Sequence, residues 1–437
     1  MGKSSKDKRD AYYRLAKEQN WRARSAFKLI QIDEQFDLFE YENPGRVTRV
    51  VDLCAAPGSW SQVLSRVLIK GESFGRRAWV DKKHREKFFL DIADHEAAGG
   101  DVRVEIPFGE SDPTSELKPR ENVKIVSIDL QPMAPLEGIT TLKADITHPS
   151  TIPLLLRALD PEAYESSSAP SPSESQSPPV AVKQPHPVDL VISDGAPDVT
   201  GLHDLDIYIQ SQLLYAALNL AMGVLRPGGK FVAKIFRGRD VDLLYAQLRT
   251  VFERVSVAKP RSSRASSLEA FVVCEGFIPP TNDHGLVGMA ALKNPLFGGA
   301  AAPQPFSEDG DIAVEVQEQI DEDANPRSLL AGRTSEGNTA GHSVKVQHLH
   351  SSTLEDQPSP SGIQTKYAAD HRWIPSFIAC GDLSAWDSDA TYTLPPNYVT
   401  LDPVQPPTAP PYRKALELRR QMGGAYGKTK VRIWDQA

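Results

Sequence analysis

The chain has 437 residues, enough for about three domains and a substantial hydrophobic core. Its three cysteines are too few for a disulfide framework or a four-cysteine zinc site, which excludes a small secreted scaffold and predicts no metal site. The net charge of −8 is uneven, because residues 1–28 hold nine Lys or Arg against three Asp or Glu, whereas residues 278–365 hold four against twelve.

Apolar runs of strand type alternate with helical patterns between residues 20 and 278. The predicted strands span residues 47–53, 123–130, 140–144, 188–193, 230–236, 255–259 and 269–274. The predicted helices span residues 23–36, 59–69, 205–224 and 240–252. This alternation is typical of parallel βαβ units, so we expect one doubly wound domain whose ligand binds beyond the carboxyl ends of the strands.

Three stretches do not fit the alternation. Residues 70–121 are charged and too long for an ordinary connection, so we interpret them as an insertion of undetermined structure. Residues 166–187 are rich in Ser and Pro, which predicts a disordered loop inside the domain. Residues 279–365 are rich in Gly, Pro and acidic residues, which predicts a disordered acidic linker.

The charge of residues 1–20 predicts a basic arm in front of the main domain. We place the main domain at residues 21–278. Tyr12, Tyr13 and Trp21 are interleaved with the cations of this region. Cations and aromatic rings together suit phosphate contacts and stacking on unpaired bases. A solvated helix face is the alternative interpretation.

Residues 366–437 predict a C-terminal extension. Its aromatic residues, concentrated in 371–412, supply apolar area that a purely disordered tail rarely concentrates. We therefore expect this segment to dock, either on the main domain or on a partner. The chain has no run of about 18 apolar residues and no apolar signal segment near its start, so we expect a cytoplasmic protein.

The first predicted strand leads into the sequence DLCAAPGSW, residues 52–60. Small residues and Gly58 would let the backbone approach a ligand where the next helix starts. A tight structural turn explains the same residues equally well. The GxGxxG fingerprint of dinucleotide-binding domains is absent, which argues against a nicotinamide dehydrogenase, and a P-loop is also absent.

Acidic residues lie at the ends of successive predicted strands. They are Asp52, Asp129, Asp145 and Asp194. A carboxylate at a strand end can accept hydrogen bonds from ribose hydroxyls or an adenine amino group, whereas helix capping explains one such residue more easily than four. The pattern favours a nucleoside cofactor.

Seven segments resemble the FtsJ-like RNA 2′-O-methyltransferases. They are RSAFKL (24–29), DLCAAPGSW (52–60), SIDLQPMAP (127–135), KADITHP (143–149), SDGAPDVTGLHDLD (193–206), LRPGGKFVAKIFRGRD (225–240) and KPRSSRASSLEAFVVCEGF (259–277). The similarity is greatest to the eukaryotic tRNA branch, which implies 2′-O-methylation of anticodon-loop nucleotides 32 and 34 of tRNA. It also implies a Rossmann-like fold that binds S-adenosylmethionine (AdoMet), with a seven-stranded, mostly parallel sheet and an antiparallel last strand.

The resemblance implies a catalytic tetrad of Lys28, Asp194, Lys234 and Glu269. Methyl transfer to a ribose hydroxyl needs in-line alignment and the removal of a proton, and a lysine accepts a proton only if its pKa falls. We expect Lys234 to act as the base or to orient the hydroxyl, Lys28 to tune it and hold the ribose, and the carboxylates to fix both lysines. Which lysine carries the proton stays open.

The same resemblance implies a set of AdoMet-binding residues. They are Gly58, Trp60, Asp129, Asp145 and Asp194. Trp60 by itself is also typical of a core aromatic residue at a helix start, and Asp52 is expected to support the turn. Family enzymes of this branch work with partners of helical-repeat and WD-repeat type, which implies such partners here. Methylation of ribosomal RNA or of an mRNA cap, and a noncatalytic RNA-binding scaffold, are the alternatives.

Overall fold

The computed structural model describes residues 9–97, 118–161, 187–197, 203–238, 241–280, 374–382 and 385–405. The loop predicted at 166–187 lies outside these residues except for Pro187, and the linker predicted at 279–365 lies outside them except for its first two residues. In the described part of the chain, no helix has both the length and the apolar character needed to span a membrane.

In the described residues, eight strands form one sheet. They are β1 (Arg49–Leu53), β2 (Lys124–Asp129), β3 (Ile139–Lys143), β4 (Val188–Ser193), β5 (Leu225–Phe236), β6 (Phe252–Pro260), β7 (Glu269–Phe277) and β8 (Ser376–Cys380). Their order across the sheet is β3-β2-β1-β4-β5-β7-β6-β8. β7 runs antiparallel to both of its neighbours and the other pairs are parallel. The predicted Rossmann-like class with an antiparallel seventh strand is confirmed.

The strand count differs from the prediction, because β8 adds an eighth strand to the predicted seven. It lies parallel to β6, in a register that pairs Ser256 with Ser376 and Pro260 with Cys380. The strand is short and its partner is distant in sequence, so local periodicity gives no sign of the pairing. The C-terminal extension is thus partly a strand of the main sheet.

Helices cover both faces of the sheet. They are α1 (Ala11–Glu18), α2 (Ala26–Phe36), α3 (Ser59–Leu64), α4 (Arg76–Ala97), α5 (Thr151–Leu159), α6 (His203–Val224) and α7 (Val241–Leu248). Residues of α1, α2 and α3 share one hydrophobic cluster with Phe271, and residues of α5, α6 and α7 share the other with Phe231. A strand such as β4 is buried along its whole length, as expected of parallel strands covered on both faces.

Some boundaries differ from the predicted ones. β5 begins at Leu225 rather than at residue 230, and its pairing with β4 is irregular where the Pro-Gly-Gly sequence suggests a turn. α7 ends at Leu248, before the end of the helix predicted at 240–252. The last residue of that predicted helix, Phe252, is instead the first residue of β6. α4 gives the insertion at 70–121 a helix.

The described part of the N-terminal arm packs one face of α1 against the main domain. Asp10 caps α1 by accepting a hydrogen bond from the Tyr13 N–H over 3.0 Å. Tyr12 is 2% exposed and Trp21 is 1% exposed. Base stacking on Tyr12 and Trp21 is therefore ruled out as an interpretation of these aromatics, because both rings are core residues.

The described part of the C-terminal extension docks on the main domain. Cys380 of β8 is fully buried, and the Tyr12 hydroxyl donates to the Trp386 carbonyl oxygen over 2.7 Å. The Arg14 guanidinium lies 5.7 Å from the centre of the Trp386 ring and 5.8 Å from that of Tyr398. The extension therefore covers the outer edge of β6 and also contacts α1.

Removal of residues 366–437 should lower the Tm by roughly 5–10 °C, because it removes β8 from the outer edge of β6 and exposes Tyr12. Differential scanning fluorimetry measures the change. The control is Phe377→Ala, a substitution of an exposed residue of β8, which should change the Tm by less than about 2 °C. An unchanged Tm in the truncated chain would contradict the docking described above.

Candidate active site

Two lysines and two carboxylates meet at the carboxyl edge of the sheet. Lys28 lies in the first turn of α2, Asp194 directly follows β4, Lys234 lies near the end of β5, and Glu269 is the first residue of β7. β4, β5 and β7 are neighbours in the sheet, which brings the last three together. Because β7 is antiparallel, its first residue rather than its last lies at this edge.

The distances show one connected charge network, which we call the tetrad. Lys234 Nζ lies 2.6 Å from Asp194 Oδ1, 2.9 Å from the Asp194 carbonyl oxygen and 3.4 Å from Glu269 Oε2. Lys28 Nζ donates to Glu269 Oε2 over 2.7 Å and lies 3.9 Å from Asp194 Oδ1. The four side chains are mostly buried. Each carboxylate thus faces both lysines, and the charges balance.

Burial and opposite charge act against each other on the pKa values of Glu269, Lys234 and Lys28. Burial raises the pKa of Glu269, but Lys28 and Lys234 lower it by more, to about 2. Burial lowers the pKa of Lys234, but Asp194 and Glu269 outweigh burial and hold that pKa above its usual value. Burial also lowers the pKa of Lys28, and there the carboxylates do not compensate fully. Lys28 therefore loses a proton more readily than Lys234.

Ser263 belongs to the site although no sequence pattern singles it out. Its side chain is buried and its hydroxyl donates to Glu269 Oε1. This bond helps to hold the Glu269 carboxylate toward the two lysines. The connection between β6 and β7 contains four serines, and the fold alone decides which of them meets the carboxylate.

A cleft of about 400 Å³ lies beside the tetrad, next to Lys28 and Glu269. Its remaining lining comes from the segment before α2 and from the connection between β6 and β7. We call it the serine cleft, and its residues besides the two tetrad members are Ala23, Arg24, Ser25, Ser263, Arg264, Ser266 and Ser267. The tetrad therefore faces a polar cleft rather than a closed core.

The connection from β1 to α3 turns at Gly58. This residue has a φ of +92°, in the left-handed region that favours glycine, and a Cβ there would lie 2.5 Å from Arg22 Nη1. Arg22 donates to the carbonyl oxygens of Pro57, Ala134 and Pro135 over 3.2, 2.9 and 3.0 Å. Arg22 thus joins the connection after β1 to the connection after β2, a role that no motif predicts.

Trp60 lies in the core below this connection. Its side chain is 1% exposed, its indole N–H donates to the Ser25 carbonyl oxygen over 2.9 Å, and its ring centre is 5.6 Å from that of Phe271. The Trp60 side chain is therefore enclosed by protein, as is typical of a core aromatic residue at a helix start, and its backbone lies in the first turn of α3.

Asp129 is the last residue of β2 and Asp145 lies shortly after β3, so both are half-buried at the same edge of the sheet. Asp129 accepts one hydrogen bond on each oxygen, from the N–H of Ala56 over 2.9 Å and from that of Gln131 over 2.7 Å. Asp145 Oδ1 accepts both the backbone N–H and the hydroxyl of Thr147. Counting partners in the described ranges alone, both carboxylates keep acceptor capacity for a ligand.

Asp52 lies beneath the first connection, fully buried in β1. The Ser61 hydroxyl donates to Asp52 Oδ2 over 2.6 Å, and the Ser61 and Ser127 hydroxyl oxygens are 3.0 Å apart. Burial raises the pKa of Asp52 to about 7, against the opposing effect of the Ser61 hydrogen bond. The position agrees with the interpretation of Asp52 as a support for the turn.

Known proteins match both the domain and the full chain. The family model described as FtsJ-like methyltransferase matches residues 21–103 and 111–277. A relative from Schizosaccharomyces pombe, named tRNA (cytidine(32)/guanosine(34)-2′-O)-methyltransferase, is 44% identical over 96% of this chain and 98% of its own length. The Homo sapiens protein of the same name is 39% identical over 96% of this chain and 86% of its own length.

A more distant relative has a different named substrate. It is a pre-rRNA 2′-O-ribose RNA methyltransferase from Pongo abelii, 32% identical over 64% of this chain and 24% of its own length. The similarity is therefore both higher and longer for the two proteins named as tRNA methyltransferases.

Asp52→Asn should become more stable relative to the parent as the pH rises from about 4 to about 7. The folded parent keeps the Asp52 proton up to about pH 7, whereas the unfolded chain loses it near 3.8, so this group lowers the parent's free energy of unfolding across that range. The difference between variant and parent should grow by at most about 1.4 kcal/mol per pH unit.

Urea unfolding of both proteins at several pH values between 4.5 and 8 measures this difference. Other titrating groups are common to both proteins and cancel. A difference that stays constant over this range would show that Asp52 does not carry the raised pKa.

Proposed function

The chain belongs to the AdoMet-dependent FtsJ-like methyltransferase family, and we propose that it methylates the ribose 2′-hydroxyls of nucleotides 32 and 34 in the tRNA anticodon loop. The observation that carries the proposal is the buried tetrad of Lys28, Asp194, Lys234 and Glu269. Two lysines and two carboxylates in one network, with amine-to-carboxylate distances of 2.6 to 3.9 Å, can hold a hydroxyl and manage its proton.

The residues at the carboxyl edge fit AdoMet. Asp129 and Asp145 offer acceptors suited to ribose hydroxyls and an adenine amino group, and the left-handed Gly58 allows close backbone approach at the start of α3. We assign AdoMet binding to these three residues, to the backbone of Trp60 and to Asp194. When bound, AdoMet supplies an electrophilic methyl group on a positively charged sulfur.

The reaction breaks the bond from carbon to sulfur as the bond from carbon to the ribose oxygen forms, and the oxygen loses its proton. The protein supplies alignment and a proton acceptor. In this proposal Asp194 and Glu269 fix the two amino groups, Ser263 fixes Glu269, and Lys28 faces the ribose from the serine cleft.

The two lysines have different roles in this proposal. Lys234 lies between both carboxylates and takes the hydroxyl proton, while Lys28 provides the cation that tunes it and holds the ribose. The lower pKa of Lys28 in the absence of ligands supports the reverse assignment. AdoMet is cationic, so when bound beside Lys234 it would lower the pKa of this lysine, against the effect of the two carboxylates that raise it.

The tRNA substrate rests on the relatives. The two proteins named as tRNA methyltransferases match this chain over nearly its whole length, whereas the pre-rRNA methyltransferase matches less of it. Methylation of ribosomal RNA or of an mRNA cap is the alternative that the tetrad chemistry also permits. A noncatalytic scaffold is disfavoured because all four tetrad side chains are present and connected.

We also propose protein partners of helical-repeat and WD-repeat type, and a cytoplasmic location in keeping with a tRNA substrate. The described part of the extension supports the partner proposal, because it exposes apolar residues after docking. They are Ile374, Phe377, Trp386, Val399, Leu401 and Val404. Exposed apolar residues in one segment suit a partner surface.

Nucleoside mass spectrometry of tRNA from cells that lack the gene should show loss of 2′-O-methylation at nucleotides 32 and 34. Reintroducing the parent chain should restore both modifications, and reintroducing Glu269→Gln should not, because the tetrad then lacks one charge. Unchanged tRNA, with loss of methylation in ribosomal RNA or at mRNA caps, would establish the alternative substrate instead.

Lys234→Arg should reduce single-turnover methyl transfer by at least about 100-fold, because a guanidinium cannot accept the proton. Lys28→Arg should retain a larger share of the rate, because it keeps the cation. Calorimetry should show that both variants still bind AdoMet, which controls for folding. A larger loss in Lys28→Arg than in Lys234→Arg would reverse the assignment of the two lysines.

A further inference from the structure

Among the residues that the structure describes, cations outnumber carboxylates around the serine cleft. Arg24 donates to Asp10 Oδ2 and to the Ser262 carbonyl oxygen. Arg264 Nη2 lies 3.5 Å from the same Asp10 oxygen. One carboxylate therefore faces two guanidinium groups, while the tetrad beside them is neutral. Counting the described residues alone, four cations around the cleft, Arg24, Arg264, Lys259 and Arg237, outnumber two carboxylates, Asp10 and Asp389.

The rest of the lining offers hydrogen-bond donors. Arg264 has a side chain that is 55% exposed, and Ser266 is exposed next to it. Lys259 and Arg237 add positive charge behind them, since both donate to the Ser267 carbonyl oxygen. Arginine side chains and serine hydroxyls are the groups that most often contact phosphate oxygens in nucleic-acid complexes.

We propose that the serine cleft binds the phosphodiester on the 3′ side of the target nucleotide, with Arg264 as its main contact. The inference rests on the proposed function, because the methylated 2′-oxygen and the 3′-oxygen sit on adjacent ribose carbons. A ribose held at the tetrad therefore brings its 3′ phosphodiester within reach of the cleft, which shares Lys28 and Glu269 with the tetrad. The negative charge of a phosphodiester suits this excess of positive charge.

The C-terminal extension holds the loop that carries Arg264. The Ala265 N–H donates to Asp389 Oδ2 over 2.6 Å, and the Arg261 N–H donates to the Cys380 carbonyl oxygen over 2.9 Å. Asp389 thus contacts the residue next to Arg264 without lining the cleft. We assign Asp389 as a positioning residue of this phosphodiester subsite.

The test uses an anticodon stem-loop RNA and the full-length chain loaded with AdoMet. Arg264→Ala should weaken RNA binding about tenfold and reduce the slope of log affinity against log salt by about 0.7–0.9, the value for one phosphate contact. AdoMet affinity should not change. Arg46→Ala is the matched control, since Arg46 is an exposed arginine at the opposite edge of the sheet and should leave the slope unchanged.

A neutral methylphosphonate in the RNA identifies the phosphate. Placed 3′ to the target nucleotide, it should weaken binding to the parent about tenfold and have little further effect on Arg264→Ala. Placed 5′ to the target nucleotide, its effect should add to that of Arg264→Ala. Additive effects at the 3′ position, or an unchanged salt slope, would overturn the inference while leaving the proposed function intact. A parent chain that neither binds nor methylates the RNA would overturn both.

The positioning role of Asp389 is tested by whether its substitution weakens or strengthens RNA binding. Asp389→Ala removes the acceptor for Ala265 and should weaken RNA binding, whereas Asp389→Asn keeps an acceptor oxygen and should bind at least as well as the parent. If charge alone mattered, both variants would bind RNA more tightly, because each removes a negative charge near Lys259 and Arg237. That result would overturn the positioning role.

Discussion

The neutral network of two lysines and two carboxylates is the constraint on which the rest of the site depends. Ionic groups in a buried position are stable only when they are paired and hydrogen-bonded. Glu269 meets this condition through Lys28, Lys234 and Ser263, and Lys234 through Asp194 and Glu269. Loss of any one charge leaves the other three unbalanced, so the four residues act as a unit rather than as separate contributors.

The topology of the sheet supplies the geometry that this network needs. β4 and β5 are parallel, so their carboxyl ends lie at the same edge of the sheet. Asp194, which follows β4, and Lys234, near the end of β5, meet there. A parallel β7 would place its last residue there. The antiparallel β7 presents its first residue, so Glu269 reaches the lysines and the preceding loop forms a wall of the serine cleft.

Much of this could be predicted from sequence because strand periods and strand-end acids are local signals. Asp129 and Asp145 lie at strand ends, and the family motifs contain all four tetrad residues. The orientation of an aromatic ring is not a local property, so Tyr12 and Trp60 were open to a ligand-binding interpretation until the packing showed both in the core. Ser263 and β8 depend on contacts between distant segments, which no spacing encodes.

The pairing of β8 with β6 has a consequence for biosynthesis. β6 ends at Pro260 and β8 begins at Ser376, so the ribosome translates everything between them before the sheet can be closed at this edge. At about 5–20 residues per second this takes roughly 10 s. During that interval β6 is an edge strand with unpaired backbone groups, which can pair with another chain. Chaperone binding would therefore protect the nascent chain most at this stage.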